Sequence, residues 1–221
     1  MRLYYDRVNA GQRLGEEIAT RGFVDPVLLA LPRGGVAVAH AVAQVLRIAF
    51  EVLLVRKIGS PRDPEFGIGA IAEDLVPFFP PRALAMYDVE GDDVRQVVEA
   101  ERLELQRRLN LYRPGQGLPP LRDRTVLIID DGLATGVTAV AAARFLRRQS
   151  PRRLVLAVPV APREIARFVA EAFDEIVCPY RPANFSGVAQ WYEEFDQVDD
   201  DEVLSLLGRA HRQGQVREDG V

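Results

Sequence analysis

The stretch 125–139, TVLIIDDGLATGVTA, carries the densest chemistry in the chain. A hydrophobic strand delivers two adjacent carboxylates, Asp130 and Asp131, and a turn through Gly132, Leu133, Ala134, Thr135 and Gly136 then opens a helix at Val137 and Thr138. The far half of this loop suits a phosphate: successive backbone N–H groups converge at a helix N-terminus, and Thr135 and Thr138 add hydroxyl donors. Carboxylates facing that phosphate would repel it. They must serve something else, either the hydroxyls of a sugar or a cation. A ribose carrying a 5-phosphate satisfies both halves. A Walker-type loop is excluded because no Gly-Lys-Ser/Thr is present, and a dinucleotide loop because the third glycine is missing at the required spacing.

Two further stretches end apolar runs in residues suited to anions. In 29–39, LALPRGGVAVA, Arg33 can grip phosphate oxygens in bidentate fashion, while Gly34 and Gly35 let the backbone approach closely. Arg-Gly-Gly alone describes an ordinary turn; its place at the end of a second strand gives it weight. In 55–70, VRKIGSPRDPEFGIGA, the basic pair Arg56-Lys57 precedes a segment, 59–67, with two prolines and two glycines and no periodic apolar face. An exposed, mobile loop is expected there, with Arg62 open to protease.

The elements that must position these loops can be read from apolar runs. Strands are expected at 27–31, 50–55, 126–129, 154–158 and 175–177, with a short return at 69–72. Helices are expected from Asn9, as N-cap, to Gly22, then after Gly35, and over 92–111, 136–149 and 163–173. Pro77, Pro80 and Pro81 interrupt the chain between the short return strand and the long helix. Alternation of strand and helix predicts a parallel sheet with helices on both faces, and ligands of such sheets collect beyond the carboxyl ends of the strands. All three loops fall there.

At 221 residues one main domain is expected, over 1–209, with a core at about 9–178 and a helical insertion at about 91–117. A small hood at about 179–200 joins the N-terminal segment, and 210–221 forms a loose tail. The chain is 48% hydrophobic and 27% charged, as globular proteins are. A net charge of −4 offers no basic excess for nucleic acid. The single cysteine, Cys178, follows apolar neighbours and reads as a strand thiol rather than a nucleophile. No export signal or membrane span of ~18 apolar residues is visible, so a cytoplasmic, membrane-free protein is expected.

The loop 130–138 resembles the phosphoribosyl-pyrophosphate signature of type I phosphoribosyltransferases: hydrophobic run, acid pair, Thr135-Gly136 and Thr138 all match. The resemblance spans roughly 27–195, and the segment 91–117 lies outside the family's minimal pattern. It implies an α/β fold with a parallel-sheet core and a small hood. It implies transfer of the 5-phosphoribosyl group from 5-phosphoribosyl-1-pyrophosphate to a nitrogen acceptor such as a nucleobase, with Mg²⁺ as cofactor and pyrophosphate released. By this resemblance Asp130 and Asp131 hold the ribose hydroxyls, and residues 132–138 the 5-phosphate. Arg33, Gly34, Gly35, Arg56 and Lys57 face the pyrophosphate, and Mg²⁺ is held mainly by substrate, in part through water on the acid pair. Arg33, Lys57, Asp130 and Asp131 are the catalytic set.

The segment with Arg62, Asp63 and Glu65 is similar to the family's catalytic lid, and their entry into the site is left open. Ala134 stands where members using 6-oxopurines carry a third acid. Leu-Ala-Thr-Gly matches adenine-specific members, yet those carry a different pyrophosphate loop, so the acceptor is open. Tyr180, Phe185, Trp191 and Tyr192 line either the acceptor hood or the core of a small lobe. A homodimer is allowed. The rival reading is a non-catalytic sensor of the sugar pyrophosphate. A synthase of that compound would need a nucleotide loop, and none is found.

Overall fold

Asp6 opens the first helix, its carboxylate accepting the N–H of Asn9 at 2.7 Å, and α1 runs Arg7–Ala19. Asn9, expected as the cap, therefore lies inside the first turn, and Gly22 sits beyond the end of the helix at φ 63°. The computed structural model describes residues 2–218. After α1 come β1 (Val27–Ala30), α2 (Gly34–Leu46), β2 (Phe50–Val52), β3 (Val55–Ser60), β4 (Asp63–Ala72) and β5 (Pro77–Phe78). There follow α3 (Pro81–Met86), α4 (Asp92–Tyr112), β6 (Thr125–Ile129), α5 (Val137–Arg147), β7 (Arg153–Ala157), α6 (Arg167–Ala170), β8 (Glu175–Val177) and α7 (Asp200–Glu218).

Five strands form a parallel sheet in the order β2-β1-β6-β7-β8. Successive side chains on a strand point to opposite faces. Accordingly Leu28, Leu127 and Val155 join α1, α2 and α7 in one buried cluster, while Leu29, Ile128 and Leu156 join α5 and α6 in another. Burial on both faces is why these strands read as unbroken apolar runs. The protein is α/β, with helices on both faces of a parallel sheet. From β1 the chain crosses outward to β2, and from β6 it crosses the other way to β7. The sheet therefore reverses winding between β1 and β6, and the crevice at their carboxyl ends is where such folds bind ligands.

The apolar run 50–55 divides between two sheets. Leu53 still donates to the Ala30 carbonyl at 2.9 Å, and the chain then leaves for a second sheet of order β3-β4-β5. The expected mobile loop 59–67 is a hairpin instead, its ladder running from Val55↔Ala72 to Ser60↔Asp63 with irregular register around Gly59. Only Pro61 and Arg62 turn the chain. Pro64, which has no N–H to give, is accommodated where that ladder is irregular. Support comes from outside the local sequence: Phe66 lies 6.3 Å from the Tyr87 ring, and Arg56 donates to Glu101 of α4 at 2.7 Å. The segment 91–117 is thus the helix that braces the hairpin.

Three smaller expectations also change. Pro77 begins a two-residue edge strand and Pro81 occupies the first turn of α3, where a missing N–H is harmless. The helix expected over 163–173 shrinks to Arg167–Ala170 because Ala166, at φ −56° and ψ 138°, is not helical. The chain past Arg209 continues α7 as far as Glu218 rather than forming a loose tail, and 219–221 lie outside the described residues. No helix among the described residues is long and apolar enough to cross a membrane.

The N-terminal residues join the late segment. Leu3 and Tyr4 donate to the Trp191 carbonyl at 2.9 and 3.0 Å, and Tyr4 and Tyr192 share a small buried cluster with Val160. This small lobe stands beside the loops that follow β6 and β7.

Candidate active site

Helices α2 and α5 both start at the β1/β6 crevice. Neither N-terminus has a side-chain cap; in α2 the Val36 N–H donates to the Arg33 carbonyl at 3.1 Å, and no side chain among the described residues takes the amides that precede it. Two positive helix ends thus converge on one place. Gly136 precedes α5 at φ 75°, in the left-handed region, which lets the loop turn directly into the helix without the penalty a Cβ would bring. Ala134 and Thr135 are exposed and Thr138 is half-buried.

The loop after β1 lies against the loop after β6. A Cβ built on Gly35 would stand 2.8 Å from the Ile129 carbonyl oxygen and 3.0 Å from Asp130 Cα, and Leu31 donates to Ile129 O at 2.9 Å. Both obstacles at Gly35 are backbone and cannot swing aside. Gly35→Ala should cost about 1–3 kcal/mol through overpacking and weaken anion binding by parting the loops. Urea unfolding together with a ligand titration checks this, and unchanged values in both would show that the loops do not meet as described.

Asp130 and Asp131 follow β6 at the same crevice. Burial, and then the neighbouring Asp131, push the Asp130 carboxyl well above the usual carboxylate range. Burial also raises Asp131, and Arg7 opposes that rise. Arg7 Nε donates to Asp131 Oδ2 at 2.8 Å, and the Tyr192 hydroxyl donates to the Asp131 carbonyl at 2.6 Å. No group of three or more His, Cys, Asp or Glu side chains able to hold a metal ion occurs among the described residues. The acid pair thus supplies two carboxylates, one already engaged by Arg7, which fits a divalent ion that draws most of its ligands from a bound substrate.

Arg33 ends the β1 loop with its guanidinium 3.8 Å from Asp200 at the start of α7. Asp200 also accepts from the Tyr112 hydroxyl and from Arg107 at 3.0 Å; the Tyr112 bond leads in holding its carboxyl below the usual range, so it stays ionised. The pair Arg56-Lys57 is divided. Arg56 shares its strand face with Ile58 and turns to Glu101, whereas Lys57 shares a face with Val55, which is buried with Leu31 and Leu133 of the two loops. The Lys57 stem runs over Gly67, whose built Cβ would lie 3.0 Å from Lys57 Cδ. Ser60, Pro61 and Arg62 border a groove with Met86 and Asp88 near the start of α4.

Of the aromatic residues singled out from the sequence, Tyr192 is core at 1% exposure, Phe185 and Trp191 pack around it, and Tyr180 is 37% exposed. Cys178 is half-buried just past β8, and burial pushes its thiol up. The sequence reading missed Arg7, Phe195, Asp200, Arg107 and Tyr112. Only Asp200, in an acidic run suited to a helix start, left a local signal.

The parallel sheet thus reverses beside an acid pair and the starts of two helices. The chain belongs to the phosphoribosyl transferase domain family, whose model matches residues 8–190. It is 43% identical over 213 residues to the Mycobacterium tuberculosis protein named "Putative phosphoribosyl transferase Rv0571c", covering 96% of this chain and 48% of that one. It thus spans about half the length of the curated relatives it matches. The crystal structure of TT1426 from Thermus thermophilus superposes with a TM-score of 0.74 at 37% identity, covering 94% of this chain and 98% of that chain.

Proposed function

We propose that this chain transfers a 5-phosphoribosyl group from 5-phosphoribosyl-1-pyrophosphate to a nitrogen acceptor, a nucleobase by preference, with release of pyrophosphate. The observation that carries this reading is the contact of the Arg33-Gly34-Gly35 loop with the acid-pair loop at the β1/β6 crevice. One loop offers an arginine and amides to the leaving group, and the other offers hydroxyl acceptors and a phosphate cradle. The two lie within a sugar's reach of each other.

In this mechanism the 5-phosphate sits on the first-turn amides of α5 with Thr135 and Thr138. Asp130 and Asp131 accept the ribose hydroxyls and steady positive charge growing on the ring. Arg33, released from Asp200, and Lys57 stabilise the charge developing on the departing pyrophosphate. Mg²⁺, held chiefly by the substrate and through water by the acid pair, would add to that neutralisation.

A ligand bound only by the folded state at ~100 times its Kd adds about 2.7 kcal/mol. The sugar pyrophosphate with Mg²⁺ is therefore expected to raise the melting temperature, ribose alone is not, and Asp131→Asn and Thr135→Val should each shrink the shift. An unmoved melting curve at millimolar ligand would end this reading. Tight binding with no pyrophosphate released, across adenine, other bases, nicotinate-like rings and ammonia, would favour a sensor.

A further inference from the structure

Arg7 is the first residue of α1, and its guanidinium touches four parts of the molecule. Nε donates to Asp131 Oδ2 at 2.8 Å, and an Nη donates to the Asp196 carbonyl at 2.7 Å. One face lies 3.8 Å from the centre of the Phe195 ring. A Cβ built on Gly34, in the Arg33-Gly34-Gly35 loop, would come within 3.0 Å of Nε. The side chain is 12% exposed, and the helix beneath it is anchored by Ala10 and Leu14, both fully buried. A planar fork serves two acceptors in different directions while stacking flat on a ring; a lysine ammonium, a compact and strongly hydrated point charge, keeps the charge without that geometry.

The small lobe holds Asp131 from the other side as well, since the Tyr192 hydroxyl donates to its carbonyl. Backbone and carboxylate of one acid are thus both tied to the lobe, one directly and one through Arg7. A carboxylate has two oxygens. With Oδ2 committed to Arg7, the orientation of the group is fixed and its second oxygen is left for a hydroxyl.

We propose that Arg7 is a positioning residue that fixes Asp131 toward the sugar and locks the small lobe to the acid-pair loop, so that lobe and loop open and close as one unit. The sugar-facing half rests on the reading given under Proposed function. The coupling half does not.

Two measurements test it. The first is calorimetric titration of 5-phosphoribosyl-1-pyrophosphate with Mg²⁺ into Arg7→Ala, Asp131→Asn and the double variant. Each single change should weaken binding about tenfold, as loss of a charge-assisted hydrogen bond does, and the double variant should be no weaker than the worse single, because both remove one interaction. Additive losses would show Arg7 gripping the ligand itself and overturn the positioning role, and an unchanged dissociation constant would do the same. Arg7→Lys keeps the charge without the fork; it should fold where Arg7→Ala does not, and should recover less than half of the lost affinity. Full recovery by lysine overturns the fork argument.

The second measurement is hydrogen exchange of the ligand-free protein. Arg7→Lys should speed exchange in 130–134 and 192–197 together, whereas a change confined to one segment overturns the coupling. A wild-type protein that binds no sugar pyrophosphate overturns the proposed function and the sugar-facing half, while the exchange result still decides the coupling.

Discussion

Lys57→Ala is expected to lower kcat at least tenfold, and up to the 10²- to 10³-fold typical of losing one well-placed charge-stabilising group, while the dissociation constant of the sugar pyrophosphate changes less than tenfold. Lys57 extends the strand face on which Val55 packs among residues of both ligand loops, and in the proposed mechanism its ammonium stands beside the leaving group. In the proposed mechanism the phosphate cradle on α5 holds the sugar phosphate equally in ground and transition states. A cation beside the leaving group matters most as negative charge grows there, and such differential interactions change turnover rather than affinity. Pyrophosphate release with an acceptor found by screening measures the first quantity and calorimetry the second. Equal losses in both would place Lys57 in ground-state binding instead.

Asp130→Asn should make the protein more stable at neutral pH and a poorer binder. Burial and the Asp131 charge raise the Asp130 carboxyl in the folded state above its unfolded value. The folded state therefore holds that proton more readily, and stability declines as pH rises from the ordinary carboxylate range through the raised value. Asparagine removes the charge and that decline with it. The variant's advantage should be small near pH 4 and larger at pH 7.5, with roughly 2–4 °C of melting temperature for each kcal/mol recovered. Sugar pyrophosphate binding should weaken about 10- to 100-fold, as charge-assisted bonds to hydroxyls worth ~1.5–3 kcal/mol are lost. An advantage independent of pH would mean that the buried charge is not its source.

What the sequence disclosed follows from what is local. The strands β1, β6, β7 and β8 are buried on both faces, so their apolar runs mark them almost residue by residue, and the loops they deliver could be placed at the correct edge of the sheet. Gly34 to Gly35 and Asp130 to Thr138 could likewise be singled out, since close backbone approach and a helix N-terminus each demand particular residues.

The hairpin could not be read in the same way. Its ladder pairs Gly59 with Gly67 and sets Gly69 opposite Ile58, glycine being a poor strand former, and its order comes from α4 and Tyr87 farther along the chain. Arg56 and Lys57 looked alike as neighbours, yet adjacent strand residues face opposite ways, and a glutamate on α4 claimed the first. Arg7 lies 124 positions from its acid partner and the Tyr192 hydroxyl donates across 61 positions, so no local pattern could announce either.

The carboxylate of Asp200, 3.8 Å from the Arg33 guanidinium, gives the site an internal competitor whose effective concentration never falls. Any anion that is to use Arg33 must displace a group already held by Tyr112 and Arg107. A singly charged ion gains little from the exchange, replacing one carboxylate-like contact with another and losing its own hydration. A polyanion brings several charges to the two helix ends at once and gains far more. If the proposed function holds, this competitor makes the pocket sort its visitors by valence, favouring pyrophosphate esters over chloride and simple carboxylates.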